Sequence, residues 1–142
     1  MSISGLLIEV NRMASVQEPD FMKGPRTGLE GLAGTSEARA LAVERFPKKP
    51  YCLVRDWTIF RIEVTRDELF KCHASGQLPM ILFAHNVAED SQGRFERGDW
   101  VRSSMCTGMH DGVVFETRNT IYVLIGPGHE QPASLNDVFS LF

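Results

Sequence analysis

Between Tyr51 and Gly128 the chain repeats one pattern, a short apolar run followed by a turn signal, and this pattern limits the fold more than anything else in the sequence. Phe60, Ile62 and Val64 alternate with Arg61 and Glu63, the period of a half-buried strand. Pro50 to Arg55 forms a short apolar run just before it. Met80–Val87, Trp100–Ser104, Val113–Thr117 and Thr120–Ile125 read as further strands. Turn-forming residues separate them at Glu89–Gly93, Gly108–Gly112 and Gly126–Gly128. Arg118-Asn119 fits either a tight turn or a bulge, the latter making residues 113–125 one long bent strand. Strands at such short spacing favour antiparallel pairing over crossover connections.

Helical signals lie mainly outside this region. Ile3, Leu6, Leu7, Val10, Met13 and Ala14 share a helical face over residues 3–14. Residues 17–34 break the pattern with Pro19, Gly24, Pro25, Gly28, Gly31 and Gly34, and read as a long irregular loop. Thr35 or Ser36 is placed to cap a second helix, striped by Ala38, Leu41, Ala42 and Phe46 and ended by Pro47. Thr65-Arg66-Asp67-Glu68 is a capping box opening a helix that runs through Leu69, Phe70 and Cys72 to Gly76. Ser134 is placed to cap a last short helix bearing Leu135, Val138, Phe139 and Leu141.

The predicted fold is therefore α+β, with one curved antiparallel sheet packed by two to four helices. A length of 142 residues suits a single domain, 1–142. Its parts are a helical N-terminal section to residue 50, a sheet region over 51–128 and a C-terminal tail over 129–142. The core should come from Phe60, Ile62, Val64, Leu69, Ile81, Phe83, Val101, Phe115, Tyr122 and Leu124.

Charge and cysteine usage narrow the function classes. Fifteen Lys and Arg against 18 Asp and Glu give a net charge of -3, which disfavours nucleic acid binding by general phosphate neutralisation. Cys52, Cys72 and Cys106 show no CxxC spacing and read as reduced thiols. No apolar run approaches the roughly 18 residues of a membrane span. The N-terminus lacks a basic region and reads as mature sequence. The expectation is a cytoplasmic bacterial or phage protein without a membrane segment.

No motif carries a catalytic assignment. His73, His85, His110 and His129 lack metal-ligand spacing, so no metal is expected. Cys106 with His110 or His85 would make a Cys–His pair, but order along the chain does not establish one, and free cysteines are usually packing residues. Gly126-Pro127-Gly128 follows an apolar strand yet lacks a phosphate-loop pattern. No cofactor is expected.

The polar residues within strand-like sequence are the most informative. Arg94, Asp99, Arg102, Glu116, Arg118 and Asn119 fall in or beside the runs, with Trp100 and Tyr122 nearby. Cross-strand ion pairing is the default for such charges. The alternative is a recognition surface in which Arg94, Trp100, Arg102, Glu116, Arg118 and Asn119 grip an anion or a partner protein. Arg118, between Phe115 and Tyr122, is expected in an internal clasp with Glu116 or Asp99, because an unpaired buried guanidinium is costly.

The segments Gly93-Arg94-Phe95, Gly98-Asp99-Trp100-Val101-Arg102-Ser103-Ser104 and Phe115 to Gly128 resemble a family of small uncharacterised proteobacterial proteins, often of pseudomonads and mobile elements. In that family a GDWVRTS segment precedes an FETRNTVYVLLGxG segment. The resemblance covers about residues 85–128, with Ser103 where the family has Thr. The family is a domain of unknown function, so the resemblance implies a bacterial or phage setting and no reaction.

Two functions are open from the sequence. One is a non-enzymatic interaction protein that binds a protein partner and blocks a host or defence component. The other is a small enzyme or nucleotide- or anion-binding protein with a polar site on the sheet near Arg102, Glu116, Arg118 and Asn119.

Overall fold

A computed structural model describes residues 24–141. The helix expected over 3–14 lies outside the described residues. Among these residues, eight strands form one mixed sheet with three short helices. In chain order they are β1 (Thr27–Glu30), α1 (Thr35–Arg45), β2 (Tyr51–Ile62), α2 (Arg66–Ala74), β3 (Met80–Asp90), β4 (Val101–Arg102), β5 (Cys106–His110), β6 (Val114–Thr117), β7 (Ile121–Leu124), β8 (Pro127–Ala133) and α3 (Leu135–Phe139).

β2 is the central strand. The two runs expected on either side of Asp56 are one strand, bent where Asp56 takes a φ of 51°. Along one edge β2 pairs antiparallel with β3, from Cys52 opposite Asp90 to Arg61 opposite Met80. Along the other it pairs in parallel with two strands in succession. Tyr51–Val54 faces β7 and Trp57–Ile62 faces β8. The all-antiparallel expectation is thus corrected to a mixed sheet. The cause is that Gly126-Pro127-Gly128 does not stop the ribbon. Gly126, with a φ of 71°, inserts one extra residue, and the chain continues alongside β2 as β8.

Trp57 holds that junction. Its indole N–H reaches the carbonyls of Ile125 and Gly126, each at 3.2 Å. Its ring lies flat over Gly128, where an added Cβ would sit 2.3 Å from Cδ2. Two further strands flank the ribbon: β6 pairs with β7, and β1 with β8. β1 lies inside the stretch expected to be a loop. Its four residues are all exposed, so no apolar alternation marked it.

The turn regions also shift. Cys106–His110, expected to include a turn, is strand β5, and the reversal falls at Asp111 and Gly112, both with positive φ. Of the two readings of Arg118-Asn119, the tight turn holds. Thr117 and Thr120 close it from inside through 2.9 and 3.2 Å hydrogen bonds. An isolated bridge from Leu78 to Cys106 ties the β5 edge to the segment before β3, and the sheet stays open.

Side-chain phase in β2 sorts the core. Cys52, Val54, Trp57 and Ile59 join Leu82, Ala84, Phe115, Tyr122 and Leu124 on one face. Phe60 and Ile62 lie on the other face, beneath Val138 and Leu141 at the α3 end. Leu53 lies beneath α1 with Val114, Ile121 and Val123. Helix α1 comes close because its buried contacts are Ala38 and Ala42. Two of the expected core residues, Val64 and Leu69, are only half-buried. Leu69 belongs to α2, a helix with the expected capping box but no fully buried side chain.

The fit of Trp57 over Gly128 predicts that Gly128→Ala costs about 3 kcal/mol, as overpacking against an immovable ring does. Gly28→Ala, where an added Cβ meets nothing within 4 Å, is the control. Urea denaturation of both variants checks the difference.

Candidate functional site

The sequence-predicted residues do not form one site. Arg94 folds back onto Asp90, donating to both carboxylate oxygens at 2.7 and 3.1 Å. It also reaches the Thr120 hydroxyl at 2.9 Å. The Asp90 side chain is fully buried. Burial pushes its carboxyl up, but the Arg94 side chain and backbone N–H outweigh that and hold it below the usual range. Trp100 stacks on Phe83, with ring centroids 6.1 Å apart. Arg102 lies over the Phe139 ring and donates to the Leu141 carbonyl at 3.2 Å, fastening the end of α3. These three side chains hold the fold together.

Glu116 accepts from Lys49 at 2.6 Å and lies 2.7 Å from His110 Nε2. Burial would raise its carboxyl; the bonds from Lys49 and His110 win, and it titrates below its ordinary value. This cluster places no nucleophile beside the imidazole. The Cys106 thiol donates to the Gly108 carbonyl and is pushed up to about 11 by burial. The considered Cys106–His110 pair is therefore absent among the described residues, as is any group of three or more His, Cys, Asp or Glu side chains able to hold a metal ion.

Arg118 corrects an expectation. It stands exposed with Asn119 at the tip of the β6–β7 turn, and no clasp to Glu116 or Asp99 forms among the described residues. Glu116 is taken by Lys49 and His110, and Asp99 accepts from the Glu96 backbone N–H at 2.9 Å. The buried arginine–carboxylate clasp does exist, but it is Arg94–Asp90.

A different set of residues converges between α1 and the C-terminal half of β3. Arg55 and Arg97, with Thr35, Asn86 and Ala88, line a cavity of about 310 Å³. Arg55 enters it because the bend at Asp56 keeps Leu53 and Arg55 on the face beneath α1 while Trp57 turns to the other. Its guanidinium makes one long 3.4 Å contact to the Thr35 hydroxyl. Arg97 arrives from the loop before β4. Neither guanidinium is ion-paired among the described residues, whereas Arg39, Arg45, Arg61 and Arg94 each hold a carboxylate. Thr35 opens α1, whose N-cap is Gly34 rather than the expected Thr35 or Ser36, so no side chain caps that end. The first turn also carries Glu37, which accepts from the Ala33 backbone N–H at 3.0 Å.

Next to the cavity, Glu89 takes two bonds from Arg39, at 2.9 and 2.6 Å, and one from the Tyr51 hydroxyl at 2.6 Å. The Arg39 bonds, then the Tyr51 bond, hold the Glu89 carboxyl down at about 2. Sequence reasoning missed this group. The available signal was Arg55-Asp56, two charged residues inside an otherwise buried run from Cys52 to Phe60.

A protein-family model described as a domain of unknown function, DUF6957, matches residues 30–140. The chain belongs to the DUF6957 family. The match contains the stretch 85–128 that carried the resemblance and extends over α1, β2 and the Arg55–Arg97 cavity. No curated protein matches the chain, and no solved structure does. No helix among the described residues is long and apolar enough to cross a membrane.

Two predictions follow from the side-chain partners. Arg94→Ala strips a buried carboxylate of its counter-charge and should cost about 3 kcal/mol in a denaturant titration, whereas Arg118→Ala should change stability by less than about 0.5 kcal/mol. The second concerns pH. Glu89 is depressed on folding, so its contribution is present above about 4.5 and is lost as pH falls towards about 2. Acid titration should show Glu89→Gln with a shallower loss of stability across that window than the parent.

Proposed function

We propose that this DUF6957 protein is a non-enzymatic binding protein that recognises an anionic group in the cavity between α1 and β3. The observation that carries this reading is the convergence of Arg55 and Arg97, both without an ion pair among the described residues, on one pocket with the Thr35 hydroxyl and the Asn86 amide. Two guanidiniums present several donors in a planar geometry suited to carboxylate or phosphate oxygens. Asn86 and Thr35 supply neutral polar groups that fix orientation. At about 310 Å³ the cavity falls at the small end of ligand pockets.

This reading joins the two functions left open by the sequence. It keeps binding as the activity and moves the polar site from Arg102, Glu116, Arg118 and Asn119 to Arg55 and Arg97. The anionic group would be presented by a protein partner. The Gly98–Ser104 and Phe115–Gly128 segments support a bacterial or phage setting, where such a protein would block a host or defence component. Buried, unpaired Cys52 and Cys106 support a reducing, cytoplasmic compartment.

Titration of the full chain with inorganic phosphate and with acetate, followed by NMR, tests the site. Saturable shifts are expected at Thr35, Arg55, Asn86 and Arg97, weakening as salt is added. Arg97→Ala and Arg55→Ala should each lower the affinity about tenfold, a loss of one charge-assisted contact. Unchanged affinity in both variants, or no saturable shift with either anion, refutes the site.

A further inference from the structure

The Arg55–Arg97 cavity is assembled from three directions. Arg55 and Asn86 are direct cross-strand partners on β2 and β3, so their side chains rise side by side from the sheet and form its floor. Thr35 comes from above, at the start of α1. Arg97 comes from the side, exposed at the mouth, on a loop pinned to β3. The Gly98 N–H donates to the Val87 carbonyl and the Val87 N–H to the Asp99 carbonyl, both at 2.8 Å. The Asp99 carboxylate in turn accepts from the Glu96 N–H at 2.9 Å. These bonds flank Arg97 and fix where its side chain starts. The lining residues carry two positive charges and no negative one. Glu37, Asp56 and Glu89 stand nearby, but none of them lines the cavity. Glu37 is turned back onto the Ala33 N–H, and Glu89, although Arg97 acts on it, is balanced by its two bonds from Arg39. At the other end of α1 a cavity of about 320 Å³ also carries cations, Lys48 and Lys49, but there Lys49 already holds Glu116.

We infer that the group taken by the Arg55–Arg97 cavity is a dianion, the phosphoryl group of a phosphomonoester, rather than a carboxylate. This inference rests on the anion site proposed above and names its ligand class. Charge supports it first. A carboxylate balances one guanidinium and leaves the second uncompensated, whereas a phosphomonoester dianion balances both. Shape points the same way. A carboxylate offers two oxygens in one plane, and a single guanidinium saturates them. A phosphoryl group offers three acceptor oxygens that point in different directions, and the donors here stand on three sides. Beside a carboxylate the Thr35 hydroxyl and the Asn86 amide would be left over; beside a phosphoryl group they serve the third oxygen. The cavity, at about 310 Å³, exceeds the phosphoryl group itself and leaves space for the carbon atoms that carry it.

NMR titration of the full chain with four anions tests the inference. The probes are phosphoserine and glutamate, each blocked as the N-acetyl methylamide, together with glycerol phosphate and sulfate. Both phosphomonoesters should bind about tenfold tighter than blocked glutamate at about pH 7.5, the scale of one added charge-assisted contact. The tighter of the two separates a phosphorylated protein from a phosphorylated small molecule as the source. A phosphomonoester loses its second charge near pH 6, so its affinity relative to sulfate, a dianion throughout, should fall about tenfold between about pH 7.5 and about pH 5. No histidine lines the cavity, and the sulfate reference cancels any titration of the protein itself. Thr35→Val should weaken phosphoserine severalfold and leave glutamate unchanged. Glutamate binding as tightly as phosphoserine, or a phosphoserine-to-sulfate ratio that ignores pH, overturns the dianion and spares the anion site. No saturable binding of any of the four overturns both.

Discussion

The indole of Trp57 decides how the sheet is assembled. It donates to two successive carbonyls, Ile125 and Gly126, at the point where the ribbon gains a residue. A bulge leaves backbone carbonyls turned out of the ladder, and buried carbonyls need donors. The indole N–H supplies one, and its ring fills the space that Gly128 leaves open. With the bulge fixed, β7 and β8 both run alongside β2, and each can take a further strand on its outer edge. The position of β1, and of the start of α1 that follows it, depends on this junction. The Gly31 N–H donates to Gly126 and the Leu32 N–H to Leu124, both at 2.8 Å.

The same bend places the candidate site. Two successive residues of β2, Arg55 and Asp56, interrupt the alternation, so that Leu53 and Arg55 face α1 while Trp57 and Ile59 face the other core. Charge is tolerated at Arg55 because α1 begins above it with a polar turn and an open cavity rather than with packed apolar side chains. Further along, Ala38 and Ala42 let the helix settle onto Leu53 and Val123. One helix therefore seals the core with its middle and leaves a space at each end. The Arg39–Glu89–Tyr51 group crosses between those spaces, tying helix to sheet with two hydrogen bonds and β2 to β3 with a third.

The charges that looked most functional along the chain serve structure. Arg94 neutralises a buried aspartate, Arg102 fastens α3, and Glu116 links Lys49 to His110. Each has a partner that only folding identifies: Asp90 lies four residues before Arg94, whereas Lys49 and Leu141 are far along the chain from Glu116 and Arg102. Arg55 and Arg97, by contrast, enter no ion pair among the described residues, although the Glu89 carboxylate lies near enough to feel Arg97. Only the packed structure separates these two groups.

Sequence alone determined the elements whose signals are local. The capping box at Thr65–Glu68, the apolar face of α1 and the alternation of Phe60 and Ile62 rest on contacts within a few residues, and each is in place. Most of the core was legible for the same reason, because a long apolar side chain is buried whichever neighbour covers it. The parallel pairing of β2 with β7 and β8 was not legible. It depends on a one-residue bulge whose stabilising donor, Trp57, is about 70 positions away, at |i−j| = 68 and 69. β1 was hidden because an exposed edge strand carries no hydrophobic period. The Arg55–Arg97 cavity was hidden because it joins a helix start, two strands and a loop. Tertiary structure decided it, since whether a guanidinium is paired or free depends on which carboxylates folding brings within reach.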